Sequence, residues 1–522
     1  MNKNLIIAVI VILLVSGFEA SAICFNETNT MCLNQNTSLT WTKRLIQNTE
    51  MPSGLYAFDV DRDDKCDLLG SAGGSDSIFF WRNTGSDPIV WEEQTITSTF
   101  SSACFVFCCD VDGDEDTDVL GAGWDAGEIS WWRNDGGTPI VWIKQIIATG
   151  YTGAHEVYSC DFDNDGDFDV FAAAAEVNKI SWWRNDGGDP ILWVEQTIAN
   201  DCRGARSVAV SDLDSDGDLD VLGAGFESND ICWYRNDGGN PITWVKNTIV
   251  TRFNGAHHVI VCDVDLDNDV DIIGVAYLDD EISWWRNDGG SPIMWVRQII
   301  VSGFSAALRV ALHDIDCDGD IDCLGTAMNA GDVCWWSNDG GSPIIWTKYN
   351  IDPACFNVWP LVCADFDGDD DLDVAAGSGN AVYWYENEVY PGDLLCEGSL
   401  MWSEVNPKST ITGSFLVENI GINGSKACYE VVDWPSWGTW SFTPSSGVLM
   451  GSGSHEVTVS VIVPAEKNKE FSGEVTVVNR HNASDVGVIQ VALTTPVYYD
   501  WTPHLVLHRF FSWHQYVRDF FA

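Results

Sequence analysis

Asp161-Phe-Asp-Asn-Asp-Gly-Asp-Phe-Asp169 puts aspartate at five alternate places in nine residues. The same pattern, D-x-D-x-D-x-x-x-D, begins at Asp59, Asp110, Asp161, Asp212, Asp263, Asp314 and Asp365, each start 51 residues after the one before. A fixed period of this length marks a repeat architecture in which each unit is one supersecondary module stacked on its neighbours.

Around each acidic stretch the chain reads as four short strands. A first strand precedes it, as in Arg206-Ser-Val-Ala-Val-Ser211, and a second follows, as in Val221-Leu-Gly-Ala-Gly225. A third carries a tryptophan pair, as in Ile129-Ser-Trp-Trp-Arg-Asn134, and leads into the turn Asn134-Asp-Gly-Gly137. Its glycines are free to take positive φ. The fourth strand is expected to start at Pro139 and run to Ile146 through Trp142, since a proline suits the start of an outer edge strand. Four strands in sequence at this period predict a β-propeller blade.

The count of blades follows from the tryptophans of the fourth strands, Trp41, Trp91, Trp142, Trp193, Trp244, Trp295 and Trp346. Trp41 lies before the first acidic stretch, and nothing equivalent follows the last tryptophan-bearing strand, Val382-Tyr-Trp-Tyr-Glu-Asn387. The N-terminal strand near Leu39–Ile46 is therefore expected to complete the seventh blade and leave no open edge. The fold class expected is all-β: a seven-bladed propeller over 39–388, then a smaller β domain. Eighteen of the 20 tryptophans in this part hold repeated positions, where large rings fill the widening wedge between blades; Trp124 and Trp359 stand off the pattern.

The nine-residue stretches hold 37 of the chain's 78 acidic residues, within a net charge of −52. So many carboxylates in so little chain repel one another unless a cation neutralises them. Hard oxygen ligands at alternate positions suit calcium. An EF-hand does not fit, because Gly121, Ala172 and Gly223 stand where its closing glutamate belongs and the flanks are β-patterned. Gly166, Gly217 and Gly319 at the sixth position permit a sharp turn, which Asp64, Glu115, Asn268 and Asp370 permit less easily. The charge argues against nucleic acid as a partner, since phosphates would be repelled over most of the surface.

D-x-D-x-D-G-D-x-D between two short apolar strands, repeated around a ring, resembles the FG-GAP or VCBS repeats of integrin α-subunit propellers and of many secreted microbial proteins. The resemblance covers roughly residues 39–388. It implies a secreted or cell-surface, calcium-binding protein that acts as a binding or adhesion module, with up to seven calcium ions. By the same resemblance, Asp161, Asp163, Asp165, Asp167 (through its backbone) and Asp169 hold one ion. The matching places are Asp59, Asp61, Asp63, Lys65 and Asp67 in loop 1, and Asp110, Asp112, Asp114, Asp116 and Asp118 in loop 2. Loop 4 offers Asp212, Asp214, Asp216, Asp218 and Asp220, and loop 5 offers Asp263, Asp265, Asp267, Asp269 and Asp271. Loop 6 offers Asp314, Asp316, Asp318, Asp320 and Asp322, and loop 7 Asp365, Asp367, Asp369, Asp371 and Asp373. Lys65 departs from the pattern and is expected to weaken the first site.

The resemblance to integrin-type propellers implies that partners bind on the face away from these loops. The residues entering the seven first strands are Ser53, Cys104, His155, Arg206, His257, Leu308 and Trp359, which vary while the framework repeats. The loops joining second to third strands add Trp124, Phe226, Tyr277 and Met328 at one aligned place. Aromatics beside histidine and arginine can hold a glycan or a peptide, or can simply plug the channel. Candidate ligand residues are Trp124, His155, Arg206, Phe226, His257, Tyr277 and Trp359. No nucleophile elbow, metal triad or phosphate loop is present, so binding is expected rather than catalysis. The alternative is a calcium-dependent, lyase-like enzyme acting on polysaccharides from the same cluster; a purely structural surface component is a third reading.

Residues 1–22 have the form of a secretory signal: Lys3, an apolar run Leu5 to Val15, and Ala20-Ser21-Ala22 for cleavage. After cleavage no membrane span is expected. Most of the 17 cysteines take repeat positions shared with serine or alanine, as Cys109, Cys160 and Cys262 do with Ser211 and Ala364, which predicts core thiols. Cys24–Cys32 and Cys396–Cys428 are candidate disulfides. Asn26, Asn36, Asn423 and Asn482 lie in glycosylation sequons. Past Tyr390-Pro-Gly392 the rhythm stops, and 395–496 alternates as strands of an immunoglobulin-like sandwich. The tail 503–522, with Leu505, Phe510, Trp513, Val517 and Phe521 near helical spacing, is expected to form an amphipathic helix, a surface tether or a packing element.

Overall fold

The computed structural model describes residues 39–496 apart from Asp87, Cys317, Asp318, Asp370, Val389, 422–424 and His481. The signal segment, the Cys24–Cys32 pair, the sequons at Asn26, Asn36 and Asn423, Asp318 of loop 6 and the helical tail fall outside it. The chain divides after Glu388 into two compact units.

The first unit holds seven four-stranded antiparallel sheets. Blade 3 is representative, with strands Ala154–Cys160, Asp169–Ala174, Lys179–Asn185 and Trp193–Ala199 in that spatial order. Its second strand is buried along its whole length, because one blade covers each of its faces. Its fourth strand is half-exposed at the outer edge. The seventh blade pairs Val358–Ala364, Asp373–Ser378 and Ala381–Glu388 with the N-terminal strand Thr40–Asn48. Trp41 lies opposite Asn387 there, and Arg44 bonds Glu386 while Lys43 bonds Asp352. The seven first strands touch in sequence and the first touches the last, so the ring is closed.

Two boundaries differ from expectation. The fourth strands start at the tryptophan rather than at the proline, as in Trp142–Thr149. The prolines lie in the preceding turn, where Thr138–Pro139 and its four counterparts are cis. A proline has no N–H to give the ladder, so the strand begins where donors do.

Ring packing follows the wedge. The second-position residue of each acidic loop turns inward. Phe162 stands 4.8 Å from Trp182 of its own blade and 6.0 Å from Trp244 of the next. At the seam Trp91 packs at 5.6 Å on Phe366 and at 6.4 Å on Trp384 of blade 7. Side chains of the first strands close the axis. Tyr56, Phe107 and Tyr158 form an aromatic layer (4.7 and 5.3 Å), leaving a cavity of ≈ 50 Å³, room for a few waters.

The second unit is two packed sheets, one joining Leu394–Glu397, Thr410–Asn419, Ser454–Ile462 and Thr439–Thr443, the other built around Ser425–Asp433, Glu470–Asn479 and Asn482–Thr494. Leu400, Phe415, Tyr429, Val459, Val477 and Ile489 form the core between them. Tyr390–Pro391 and Ser399–Trp402 join their neighbours in parallel, beside otherwise antiparallel pairings. Cys396 is a free thiol, so its expected disulfide with Cys428 does not form; Cys396 instead packs against Gly487 of the last strand. Among the described residues no helix is long and apolar enough to cross a membrane.

Candidate functional site

Each acidic loop is folded by its own carboxylates. Asp161 accepts the N–H of Asp165 (3.1 Å) on one oxygen and that of Gly166 (3.1 Å) on the other, and Asp165 accepts Asp167 N–H at 3.0 Å. The sixth residue takes positive φ, 98° at Gly166, but also 64° at Asp64, 71° at Glu115 and 72° at Asn268. The turn therefore survives without glycine, at a backbone cost in those three loops.

The ninth residue points inward. Asp118 is fully buried and accepts two backbone N–H groups, from Val111 of the loop at 3.0 Å and from Asn134 of the third strand at 2.8 Å. Asn185 extends the tie: its side chain donates at 3.0 Å to the Val111 carbonyl of the preceding blade. Asn287 and Asn83 do the same toward Leu213 and Phe366. Three neighbouring pairs of acidic loops are thus stitched together. Burial pushes the ninth-position carboxyls up, to about 7 at Asp67, Asp220 and Asp271, about 8 at Asp118 and Asp169 and about 9 at Asp322.

These loops fit a hard cation. Asp59, Asp61 and Asp67, Asp110, Asp112 and Asp118, and Asp263, Asp265 and Asp271 each bring three carboxylate oxygens within 4.8 Å of one another, as do Asp161, Asp163 and Asp165 and Asp212, Asp214 and Asp216. At the third position Asp112, Asp214 and Asp265 each keep Oδ1 buried with no hydrogen-bond partner. An ion there would give those oxygens a ligand bond and hold the buried ninth carboxylate ionised.

The seven loops are not electrically equal. In blades 2 to 5 the arginine of the third strand bonds the aspartate of the following turn, as Arg133 does with Asp135 (2.6 Å) and Arg235 with Asp237 (2.6 Å). Blade 1 has Thr84 in place of that aspartate. Arg82 turns instead into loop 1, bonding Asp61 and, at 2.8 Å, Asp63, which Lys65 also reaches at 2.9 Å. Blade 7 is the reverse: Glu386 replaces the arginine, and burial, then Asp369, Asp365 and Glu386, push Asp367 up to about 7. Lys65 was visible in the repeat; the turning of Arg82 was not.

The opposite end of the first strands is built by β-bulges. In blades 1 to 6 the ladder between first and second strands skips one residue. Those residues are Ser53, Cys104, His155, Arg206, His257 and Leu308, and in blade 7 Trp359 with Pro360. A bulge leaves its extra residue unpaired and re-aims its side chain. The variable positions of the sequence are these bulges.

Six of the seven candidate ligand residues meet there, drawn from four consecutive blades. His155 and His257 are 5.2 Å apart, ring to ring, and Trp124 stands edge-on to His155 at 6.0 Å. The Arg206 guanidinium lies between the Trp124 ring (5.0 Å) and the Phe226 ring (4.8 Å). Phe226 and Tyr277 are 5.9 Å apart, and both approach His257 at 6.3 Å. Among the described residues Trp359 joins none of these ring contacts; its carbonyl accepts from Thr326 at 3.1 Å. Each histidine gives Nδ1 to a backbone carbonyl of the next blade, Arg206 at 2.7 Å and Leu308 at 3.2 Å. Burial, then the positive charges of Arg206 and Arg309, hold both imidazoles well below their usual range, with His257 adding to the effect on His155.

One residue deeper lies a group that the sequence reading missed. Arg309 of blade 6 bonds Glu156 of blade 3 across the axis at 2.5 Å, His258 of blade 5 stands 3.7 Å from the same carboxylate, and Glu156 also accepts Val208 N–H of blade 4 at 3.0 Å. Arg309 covers Phe105 of blade 2 at 4.3 Å. The signal was available, since these residues share one repeat position next to the bulge, but pairing across a ring has no sequence spacing.

The FG-GAP-like repeat family model matches residues 110–172, 161–223 and 212–274. Each match begins on one acidic loop and runs through the next. This chain is a β-propeller that carries FG-GAP-like repeats. Similar solved structures include an Agrocybe aegerita lectin, titled for specific recognition of non-reducing terminal N-acetylglucosamine, at 14% identity, covering 66% of this chain and 86% of that one with a TM-score of 0.43. BBS1N in complex with ARL6DN is similar at 10% identity, covering 67% and 98%, TM-score 0.44. The PapD-like domain 7 of human CEP192 matches at 11% identity, 22% and 92%, TM-score 0.18. Likenesses this loose assign no ligand to the FG-GAP propeller. No curated protein matched the sequence.

Proposed function

We propose that the propeller is an extracellular binding module, stabilised by calcium on its acidic rim and recognising a glycan or protein partner at its opposite mouth, without turnover. The observation that carries this reading is the set of bulges. They turn His155, Arg206 and His257 of neighbouring blades toward the aromatic rings of the loops joining second to third strands, making one continuous cluster while the scaffold beneath repeats. Bulges are enriched beside functional sites because they re-aim a side chain without altering the sheet. FG-GAP repeats and the carboxylate clusters support calcium; the family also supports an extracellular setting.

The test is a glycan and protein array probed with the calcium-loaded chain, with the chain in chelator, and with His257→Leu and Phe226→Ala. Binding that falls at least tenfold in both variants while their melting curves stay near wild type is expected. Equal binding by both variants would move the site off the mouth, and release of product from a bound polysaccharide would replace a binding module with an enzyme.

A further inference from the structure

Arg206 is an uncommon arginine for so acidic a molecule. In a chain with net charge −52, no carboxylate among the described residues bonds it. The carboxylate whose charge acts on it, Glu227, is paired with Arg203 at 3.5 Å. Its guanidinium carbon lies over the Trp124 ring at 5.0 Å and over the Phe226 ring at 4.8 Å, and its Nε is buried with no hydrogen-bond partner among the described residues. Contact with ring faces leaves the N–H fork without an oxygen acceptor, and that fork is the part that pairs with a planar carboxylate through two parallel hydrogen bonds.

His155 supplies a second, independent observation. It is 5% exposed, and its Nε2 is buried without a partner. Nδ1 faces a carbonyl oxygen, which only accepts, so Nδ1 carries the proton and Nε2 is a lone pair. That nitrogen calls for a donor. A carboxylate cannot satisfy it; a hydroxyl can. The two empty valences on one cluster therefore ask for different groups, an oxyanion at Arg206 and an O–H at His155.

We infer that the mouth takes an acidic sugar, its carboxylate on the Arg206 fork and one ring hydroxyl on His155 Nε2. This rests on the reading of the mouth as the binding face and names its ligand class. A uronate or related sugar acid carries both groups on one rigid ring, and its apolar ring face matches the half-exposed Tyr277 and Phe226. A peptide carboxylate offers the anion without the hydroxyl, and a neutral sugar the hydroxyl without the anion. His155 is buried with the Trp124 ring 6.0 Å away, so seating the hydroxyl requires a neighbouring side chain to shift.

Calorimetry with the calcium-loaded full chain tests this, using uronate-containing oligosaccharides, their carboxyl-reduced forms, neutral N-acetylglucosamine oligomers, an acidic peptide and inorganic sulfate. Binding of the uronate oligosaccharide is expected, at least tenfold weaker after carboxyl reduction. Arg206→Lys, which keeps the charge but loses the fork, should weaken it about tenfold, and His155→Phe should weaken it with the carboxyl-reduced sugar losing as much as the acid. Unchanged melting curves show that both variants fold; Arg206→Gln serves in place of either that does not. Equal affinity for acid and reduced sugar, or tighter binding of the neutral oligomer, overturns the inference and leaves the mouth as a binding face. Preference for the peptide or for sulfate overturns the sugar assignment. Binding by none of them removes both.

Discussion

Along the acidic rim each repeat presents the same carboxylates, and along the opposite rim the aligned places hold serine, cysteine, histidine, arginine, histidine, leucine and tryptophan. Both rims hang on the same first strands. At the acidic end the strand runs into a loop that its own aspartates fold, and every hydrogen bond is made within the repeat or to its neighbour. At the mouth the strand starts with a bulge, which frees one residue from the ladder and from the packing rules that fix the rest. Repetition marks what the ring needs; variation falls where the sheet has released a side chain.

The sharpest way to break this contrast is to remove the cations. A site saturated a hundredfold above its Kd adds about 2.7 kcal/mol to the folded state. Several such sites amount to much of a typical domain's stability. Chelation should lower the melting midpoint by about 10 °C or more, measured by calorimetry. An unchanged midpoint would mean that protons and chain cations already balance the rim.

Next comes the axis. Glu156 and Arg309 are both largely buried, so Glu156→Gln strands a guanidinium and should cost about 3–5 kcal/mol in urea denaturation. Glu156→Gln with Arg309→Met should recover part of that loss. If it does not, the carboxylate serves chiefly as the acceptor for Val208 rather than as Arg309's counter-ion.

Acid separates the rims in a third way. His155, His257 and His258 are buried and held well below the usual histidine range, with Arg309 adding to burial at all three. Unfolding therefore takes up protons: their contribution is complete above the unfolded value of about 6.5 and is lost as pH falls below it. At saturating calcium, the denaturant midpoint should be flat from pH 8 to about 6.5 and fall below that, and His258→Gln should flatten the fall. A fall of the same slope in that variant would assign it to the carboxylates of the acidic rim.

The smallest effect tests inequality within one rim. Loop 1 carries its own cations in Lys65 and Arg82, so wild type should bind one calcium fewer than it has loops, counted by native mass spectrometry. Lys65→Asp with Arg82→Ser should add one ion, while in chelator its stability should differ from wild type by under about 1 kcal/mol, since both lost pairs are partly exposed. No gain in stoichiometry would mean that loop 1 binds despite them.

Much of this was legible in the residues, for a physical reason. A repeat compares itself with itself, so the seven acidic stretches gave the period, Trp41 gave the closing strand, and the places where the copies disagree marked the bulges. Local chemistry was less legible. Pro139 hid the start of the fourth strand, because its missing N–H moves the boundary three residues on, to Trp142. Cys396 and Cys428 were adjacent in reasoning only, since no period related the second unit's strands and distance could not be read. Glu156, His258 and Arg309 stayed hidden because they meet through the axis, where sequence separation carries no information.

The closing strand sets a timetable for synthesis. Arg44 and Glu386 are 342 residues apart, and at about 5–20 residues per second the strand leaves the ribosome roughly 20–70 s before its partner exists. Through that interval Thr40–Asn48 is an unclaimed strand, and the sheet that will receive it is unmade. Blades 1 to 6 can assemble as they emerge; the ring cannot. Its half-exposed pattern, with Thr40, Lys43, Leu45 and Asn48 facing out, keeps the waiting strand only modestly apolar, which limits its pairing with other nascent chains in the meantime.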